Sequence, residues 1–390
     1  MVNKKVLFVA INSPFGYGGG SQGHHCFLDA VLEIFGRDKI VVMTVAEVKV
    51  PQEYQDIQVI KIPRRKIIGQ IVGFLMGNLK RFTIPLIKYM KHHHDEYDLC
   101  IINGSLMGKA VKALSNMQLR TAVIFHNYEI EYHRDNRTIE SFKGHYLGAI
   151  RKSERMSFYY SDMNLFHSKQ DLELFIKAYG TPKGYNSVLS VYNIKATETG
   201  RDLKDVEKVF DITISGSLVN FQNTAGVIDF NDNYLETAKK VIPNLKVLLT
   251  GRNPSERVQE IQHQHPDIYT IVPNPEDIFS YVQKGKIYVS PTNIGGGMKI
   301  RAMDGLRSGM PILAHEVSAR GYDFYFNKPY FKSYHDKETF EKGLMDLLDY
   351  INNTPNYREI INHDYNAFFS FKAGVERMKK GLCIEDNSKE

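Results

Sequence analysis

The chain has 390 residues, 50 Lys and Arg against 44 Asp and Glu, a net charge of +6 and 43% apolar residues. That length predicts two or three domains with ample core. Cys26, Cys100 and Cys383 are odd in number and widely scattered, which suits a reducing cytoplasm and argues against a disulfide framework or a Cys-based zinc site.

No apolar run approaches the roughly 18 residues that span a bilayer, and Met1–Lys5 leads straight into a strand-like segment, so no signal peptide is expected. The charge is uneven: residues 1–195 hold 26 Lys and Arg against 17 Asp and Glu, and the remainder 24 against 27. The basic half should face an anionic partner. No nucleic-acid-binding motif is present, so nucleic acid is not the expected partner.

Along the first half, Val6–Ile11 reads as a buried strand and is followed by the glycine loop Asn12–Ser21 and a helical pattern from Gln22 to Phe35. The spacing of Gly16–Gly20 is not that of a dinucleotide fingerprint, and no acidic residue closes the next strand, Ile40–Thr44, which argues against a dehydrogenase. Residues 62–82 mix basic ends, Arg64, Arg65, Lys66, Lys80 and Arg81, with an apolar middle too short to span. Two readings stay open: an interfacial helix on anionic lipid, or a core-packed helix with charged ends. His92-His93-His94 is expected to be exposed rather than metal-binding, since consecutive residues do not converge on one ion.

Further strands are predicted at Asp98–Ile102, Thr121–Phe125, Met163–Phe166 and Ser187–Val191, then Asp211–Ser215, Lys246–Thr250, Tyr269–Val272, Ile287–Ser290 and Pro311–Ala314. Alternation with helical segments implies an α/β fold of two Rossmann-like halves with parallel sheets. The polar stretch Lys195–Asp202 reads as the linker between them.

Three groups carry candidate chemistry. His126 and Glu129 stand just past a strand's carboxyl end, where open α/β sheets place ligands; the imidazole can orient a sugar hydroxyl or simply cap the turn. Ser153–Arg155 and Ser161–Asp171 follow, with Ser168 a good N-cap for a helix over Lys169–Tyr179. Ser217 and Arg252 end two strands of the second half, Arg252 serving as a phosphate partner or as a solvated turn residue.

The most informative stretch is Gly295–Leu313. Gly295, Gly296 and Gly297 leave backbone amides unshielded after a strand, and a helix predicted over Met298–Leu306 points its positive end at them, so diphosphate would be stabilised there. Lys299 and Arg301 add charge, and Asp304 is placed to accept hydrogen bonds from a vicinal diol such as a ribose.

This segment, together with His126-Asn127-Tyr128-Glu129, resembles the signatures of retaining GT-B glycosyltransferases of family four. The resemblance implies two Rossmann-like domains whose parallel sheets face a cleft: 1–194 on the acceptor side, 195–365 binding a nucleotide sugar, and 366–390 returning as a helix to the first domain. It implies donor contacts at Gly19, Gly20, Ser21, Ser217, Arg252, Gly295–Gly297, Lys299 and Asp304, and catalysis involving His126, Glu129 and Lys299. It further implies a UDP- or GDP-type donor sugar, no cofactor, no catalytic metal, and a polysaccharide or lipid-linked oligosaccharide acceptor at the inner face of a membrane. The main-chain loop Val272–Glu276 would read the base. Family members carry two acids eight positions apart; Asp304 matches the second, while Gly296 occupies the first, and the Arg and Lys usual near Ser217 are missing. A non-catalytic GT-B nucleotide-sugar-binding or scaffold protein and a nucleotide-sugar epimerase are the alternatives.

Overall fold

The computed structural model describes residues 3–15, 19–64, 66, 73–74, 77–135, 143–195, 203 and 206–384. Residues 196–202 of the expected linker Lys195–Asp202 and the tip of the first glycine loop, 16–18, lie outside the described residues, as does most of the apolar middle of 62–82. The chain divides into two compact units, residues 1–199 with 369–390, and residues 200–368.

In the first unit, strands β1 (Lys5–Ala10), β2 (Ile40–Val45), β3 (Gln58–Ile62), β4 (Tyr97–Asn103), β5 (Thr121–Phe125), β6 (Met163–Phe166) and β7 (Tyr185–Val188) form one parallel sheet in the order β3-β2-β1-β4-β5-β6-β7. Every residue of β2 and β5 is buried, as expected of parallel strands covered by helices on both faces, which read as unbroken apolar runs rather than alternating ones. The helix Lys169–Tyr179 starts where Ser168 accepts the Asp171 amide at 3.0 Å.

The C-terminal helix Phe371–Gly381 belongs to this unit. Gly374 lies so close to the Tyr192 ring that an added Cβ would come within 2.2 Å of it, and Arg377 Nε donates to the Leu189 carbonyl at 2.7 Å.

The second unit repeats the plan. Strands β8 (Phe210–Ser217), β9 (Val247–Arg252), β10 (Tyr269–Pro273), β11 (Gly285–Ser290), β12 (Ile312–His315) and β13 (Phe331–Tyr334) order as β10-β9-β8-β11-β12-β13, all parallel. In each sheet the strand order reverses once, between β1 and β4 and between β8 and β11. At such a point the loops leaving adjacent carboxyl ends diverge to opposite faces and open a crevice.

Two strands were not anticipated. β3 and β13 are edge strands, and their mixed sequences, QVIKI and FKSY, lack the unbroken apolar run of a central strand.

Candidate functional site

In the second unit, the loops at the carboxyl edge are packed by glycines. Gly216 and Gly251 are register partners, and a Cβ on Gly251 would lie 1.6 Å from the Gly216 carbonyl oxygen. Gly226, in the first helix of this unit (Phe221–Asp229), brings that helix's backbone onto the loop after β11: a Cβ there would meet Thr292 Cα at 2.9 Å. Ser217 and Arg252 pair in register at the ends of β8 and β9. The Ser217 carbonyl accepts from Asn223 Nδ2 at 3.0 Å, and the Arg252 side chain is exposed.

The glycine loop occupies the β8/β11 switch point. Gly295 and Gly297 take φ of 84° and 75°, the left-handed region that glycine adopts without steric cost. Lys299 Nζ reaches back to the carbonyls of Gly296 and Gly295 at 2.7 and 3.2 Å, bracing the loop and holding its charge beside it.

The helix that follows spans Arg301–Arg307, not Met298–Leu306 as expected. The residues before it serve tertiary contacts instead: the Lys299 carbonyl accepts from Tyr322 at 2.9 Å, and Met298 packs against Gly321. Asp304 therefore sits in the first turn. Its Oδ2 accepts from Arg301 Nη1 at 2.9 Å and from Ser215 Oγ at 3.4 Å, and Ser215 also bonds Tyr288 at 2.8 Å. The Asp304 carboxylate raises the Arg301 pKa further, so Arg301 brings a fixed positive charge to a recess lined by Ser215, Asn223, Ser290, Thr292 and Tyr288.

Sequence reasoning missed Gln222. Its side chain abuts Gly295 so closely that a Cβ there would come within 2.0 Å of Nε2, and that nitrogen is buried without a hydrogen-bond partner among the described residues. Gln222 and Gly295 lie too far apart in sequence for any local pattern to join them.

In the first unit, Gly19 and Gly20 open the helix Gly19–Phe35 directly after the β1 loop. One turn on, His24 stacks on His126 with ring centroids 4.6 Å apart, and His167, at the end of β6, lies 4.4 Å from His126. His126 Nε2 bonds Asn103 Oδ1 at the end of β4. A carbonyl oxygen can only accept, so with Asn103 in this orientation the His126 proton lies on Nε2 and Nδ1 is left as the acceptor. Asn12 Nδ2, 3.1 Å from His24 Nε2, places the His24 proton on Nδ1 by the same reasoning. Burial pushes all three imidazoles down, His126 to about 4 and His24 and His167 well below their ordinary value, so all are neutral at pH 7. A neutral imidazole can accept or donate a hydrogen bond without carrying charge into the site.

Glu129 begins the helix Glu129–Asp135 and pairs with His133 at 3.3 Å. Burial raises its carboxyl, but the hydrogen bond from His133 and the Lys80 charge hold it below the usual range. The turn is fastened beneath by Asp171, which accepts the Tyr128 amide at 3.1 Å, and by Glu154, which accepts the Glu129 amide at 2.9 Å. These two carboxyls lie in the sequence segments Ser153–Arg155 and Ser161–Asp171, whose local pattern does not reveal their partners. Among the described residues no group of His, Cys, Asp and Glu is arranged to hold a metal ion, and no helix is long and apolar enough to cross a membrane.

No protein-family model matches the chain, and no curated protein matches it. Solved structures do. Sucrose-phosphate synthase from Thermosynechococcus elongatus aligns with a TM-score of 0.68 at 13% identity, over 97% of this chain and 98% of that one. Anabaena HepE in complex with UDP and glucose gives 0.62 at 16% identity, over 98% and 100%. WaaG, a glycosyltransferase involved in lipopolysaccharide biosynthesis, gives 0.63 at 12% identity, over 98% and 100%. With the two all-parallel sheets, these likenesses establish the GT-B fold.

Proposed function

We propose that this GT-B chain is a retaining glycosyltransferase that moves a hexose-type sugar from a nucleoside diphosphate sugar, of UDP or GDP type, to a polysaccharide or lipid-linked oligosaccharide. The observation that carries the reading is the gathering of Gly295–Gly297, Lys299, Arg301 and Asp304 at the β8/β11 switch point. It is supported by a fold whose solved neighbours include HepE with UDP and glucose.

In this reading the loop amides of Gly295–Gly297 and the Lys299 ammonium stabilise the diphosphate as it leaves. Asp304 accepts from the ribose hydroxyls. Ser217, Arg252, Gly19 and Gly20 are further donor contacts, while neutral His126 serves the transferred sugar and Glu129 the acceptor. The departing diphosphate draws the acceptor's proton on the same face of the sugar, and no side-chain nucleophile is needed. No metal or cofactor is invoked. Residues 62–82, with Arg64, Lys66 and Arg81, would rest on an anionic membrane that carries the acceptor, while the Lys80 charge acts on Glu129.

A second reading, nucleotide-sugar binding without transfer, is favoured by one feature: Gly296 stands where the resembling enzymes carry an acid. The test is a panel of UDP- and GDP-sugars scored first for thermal stabilisation and then for acceptor-dependent release of nucleoside diphosphate. A ligand at a hundred times its dissociation constant adds about 2.7 kcal/mol. Stabilisation with acceptor-dependent release supports transfer; stabilisation alone supports the second reading; release without acceptor points to an epimerase or hydrolase.

A further inference from the structure

The turn that carries His126 and Glu129 rests on a carboxyl group with no solvent contact. Glu154, on the helix Lys143–Tyr160, has no exposed surface. Its Oε1 accepts the Glu129 amide at 2.9 Å and its Oε2 lies 3.0 Å from the Tyr179 hydroxyl. Tyr179 in turn belongs to the aromatic cluster with Tyr128, Phe158 and Phe175, so Glu154 ties the backbone of the turn to a rigid part of the core. Asp171 holds the preceding amide. Two consecutive amides, those of Tyr128 and Glu129, are thus each held by a buried carboxyl, on two different helices.

A turn that needed only to be filled would be served by an apolar side chain, without the cost of burying a carboxyl. What Glu154 adds is direction. The groups around it are Glu129, Tyr179, Tyr128 and Asp171. Burial and then the Glu129 charge push the Glu154 carboxyl well above its ordinary range, whereas Glu129 is held below its own. Environments that drive two neighbouring carboxyls apart in this way separate their roles: one is a buried hydrogen-bonding strut, the other is turned to the site.

We propose that Glu154 is a positioning residue which, bonded to the Glu129 amide and the Tyr179 hydroxyl, fixes the direction in which the 126–129 turn presents Glu129 and His126. It rests on the function proposed above only in giving that turn a task.

Three variants test it: Glu154→Gln, Glu154→Leu and Tyr179→Phe. Glu154→Gln keeps a carbonyl acceptor for the Glu129 amide and replaces the oxygen that accepts from Tyr179 by an NH2 group from which the Tyr179 oxygen can accept after its hydroxyl turns, so it should retain turnover within a few fold. Glu154→Leu should lower kcat on the order of a hundredfold, the scale of a misplaced catalytic group, with affinity for free nucleoside diphosphate unchanged, because neither the Gly295–Gly297 loop nor Gly19 and Gly20 belongs to the 126–129 turn. Tyr179→Phe, which keeps the ring, should fall between the two and guards against a Leu variant that fails to fold. Amide NMR gives a readout independent of activity: the Glu129 N–H resonance should stay in place in Glu154→Gln and move in Glu154→Leu and Tyr179→Phe. Wild-type kcat in a folded Glu154→Leu protein, equal damage in the Gln and Leu variants, or an unmoved Glu129 resonance would overturn the proposal. A moved resonance in a protein with no transferase activity would instead uphold the strut and remove the transferase reading.

Discussion

The Asp304 carboxylate is held 2.9 Å from the guanidinium of Arg301, three residues earlier on the same short helix. Both side chains are about 30% exposed, so solvent screens the pair and its contribution to stability is small, below roughly 1 kcal/mol. What the pair does is aim the carboxylate over Ser215 at the switch point. Asp304→Asn should therefore leave the melting temperature nearly unchanged while raising the donor's Michaelis constant more than it lowers kcat, since a ribose contact is made equally in ground and transition states. An unchanged Michaelis constant would contradict the diol role.

His126→Ala should abolish transfer yet leave the affinity for free nucleoside diphosphate within about twofold, because the glycine loop belongs to the other unit. Calorimetry on the folded variant decides it. Lost nucleotide binding would mark His126 as a structural residue, a role its bond to Asn103 and its contacts with His24 and His167 also fit.

The same three imidazoles predict acid sensitivity. Their pKa values are lowered by burial, so below about 6.5 the unfolded chain takes up protons that the folded one refuses. Stability contributed by keeping them neutral is fully present above pH 6.5 and is lost as pH falls toward 4, at up to about 1.4 kcal/mol per pH unit for each histidine. Melting temperatures measured between pH 7.5 and 4.5 should drop steeply in that window, and His167→Phe should flatten the slope. A slope unaffected by the substitution would show that other groups set it.

These contacts explain what was and was not legible in the chain. β5 has the bounds expected because a parallel strand covered on both faces is a nearly unbroken apolar run, β6, interrupted only by Asn164, has them because polar Ser161-Asp162 and His167-Ser168 bound it, and the helix Lys169–Tyr179 announces itself by its Ser168 cap. β3 and β13 escaped because edge strands are mixed in character. The start of the helix at Arg301 was misplaced because tertiary partners, Tyr322 and Gly321, claim the residues before it. Around His126, the imidazole itself could be picked out from its place after a strand. Its neighbours Asn103, His24 and His167 come from three other elements, brought together only by the order of a parallel sheet.

If Arg64, Arg65, Lys66 and Arg81 rest on an anionic membrane, with Lys80 left to act on Glu129, the protein should co-sediment with anionic liposomes and release as salt rises, each basic residue adding about 1 kcal/mol near the surface. Arg81 is already paired with Glu47 at 2.8 Å, so Arg81→Gln should cost less than Lys66→Gln. Arg65 lies outside the described residues. Indifference to anionic lipid would assign residues 62–82 to the folded core.

The central claim, a nucleoside diphosphate site at the β8/β11 switch point, is tested most directly by calorimetric titration of UDP and GDP into the wild-type protein and Lys299→Ala. One site per chain is expected for one of the two nucleotides, weakened in the variant by about 1.5–3 kcal/mol, the worth of a charge-assisted phosphate contact. Binding of neither nucleotide, or equal affinity in the wild type and a folded Lys299→Ala variant, would contradict it.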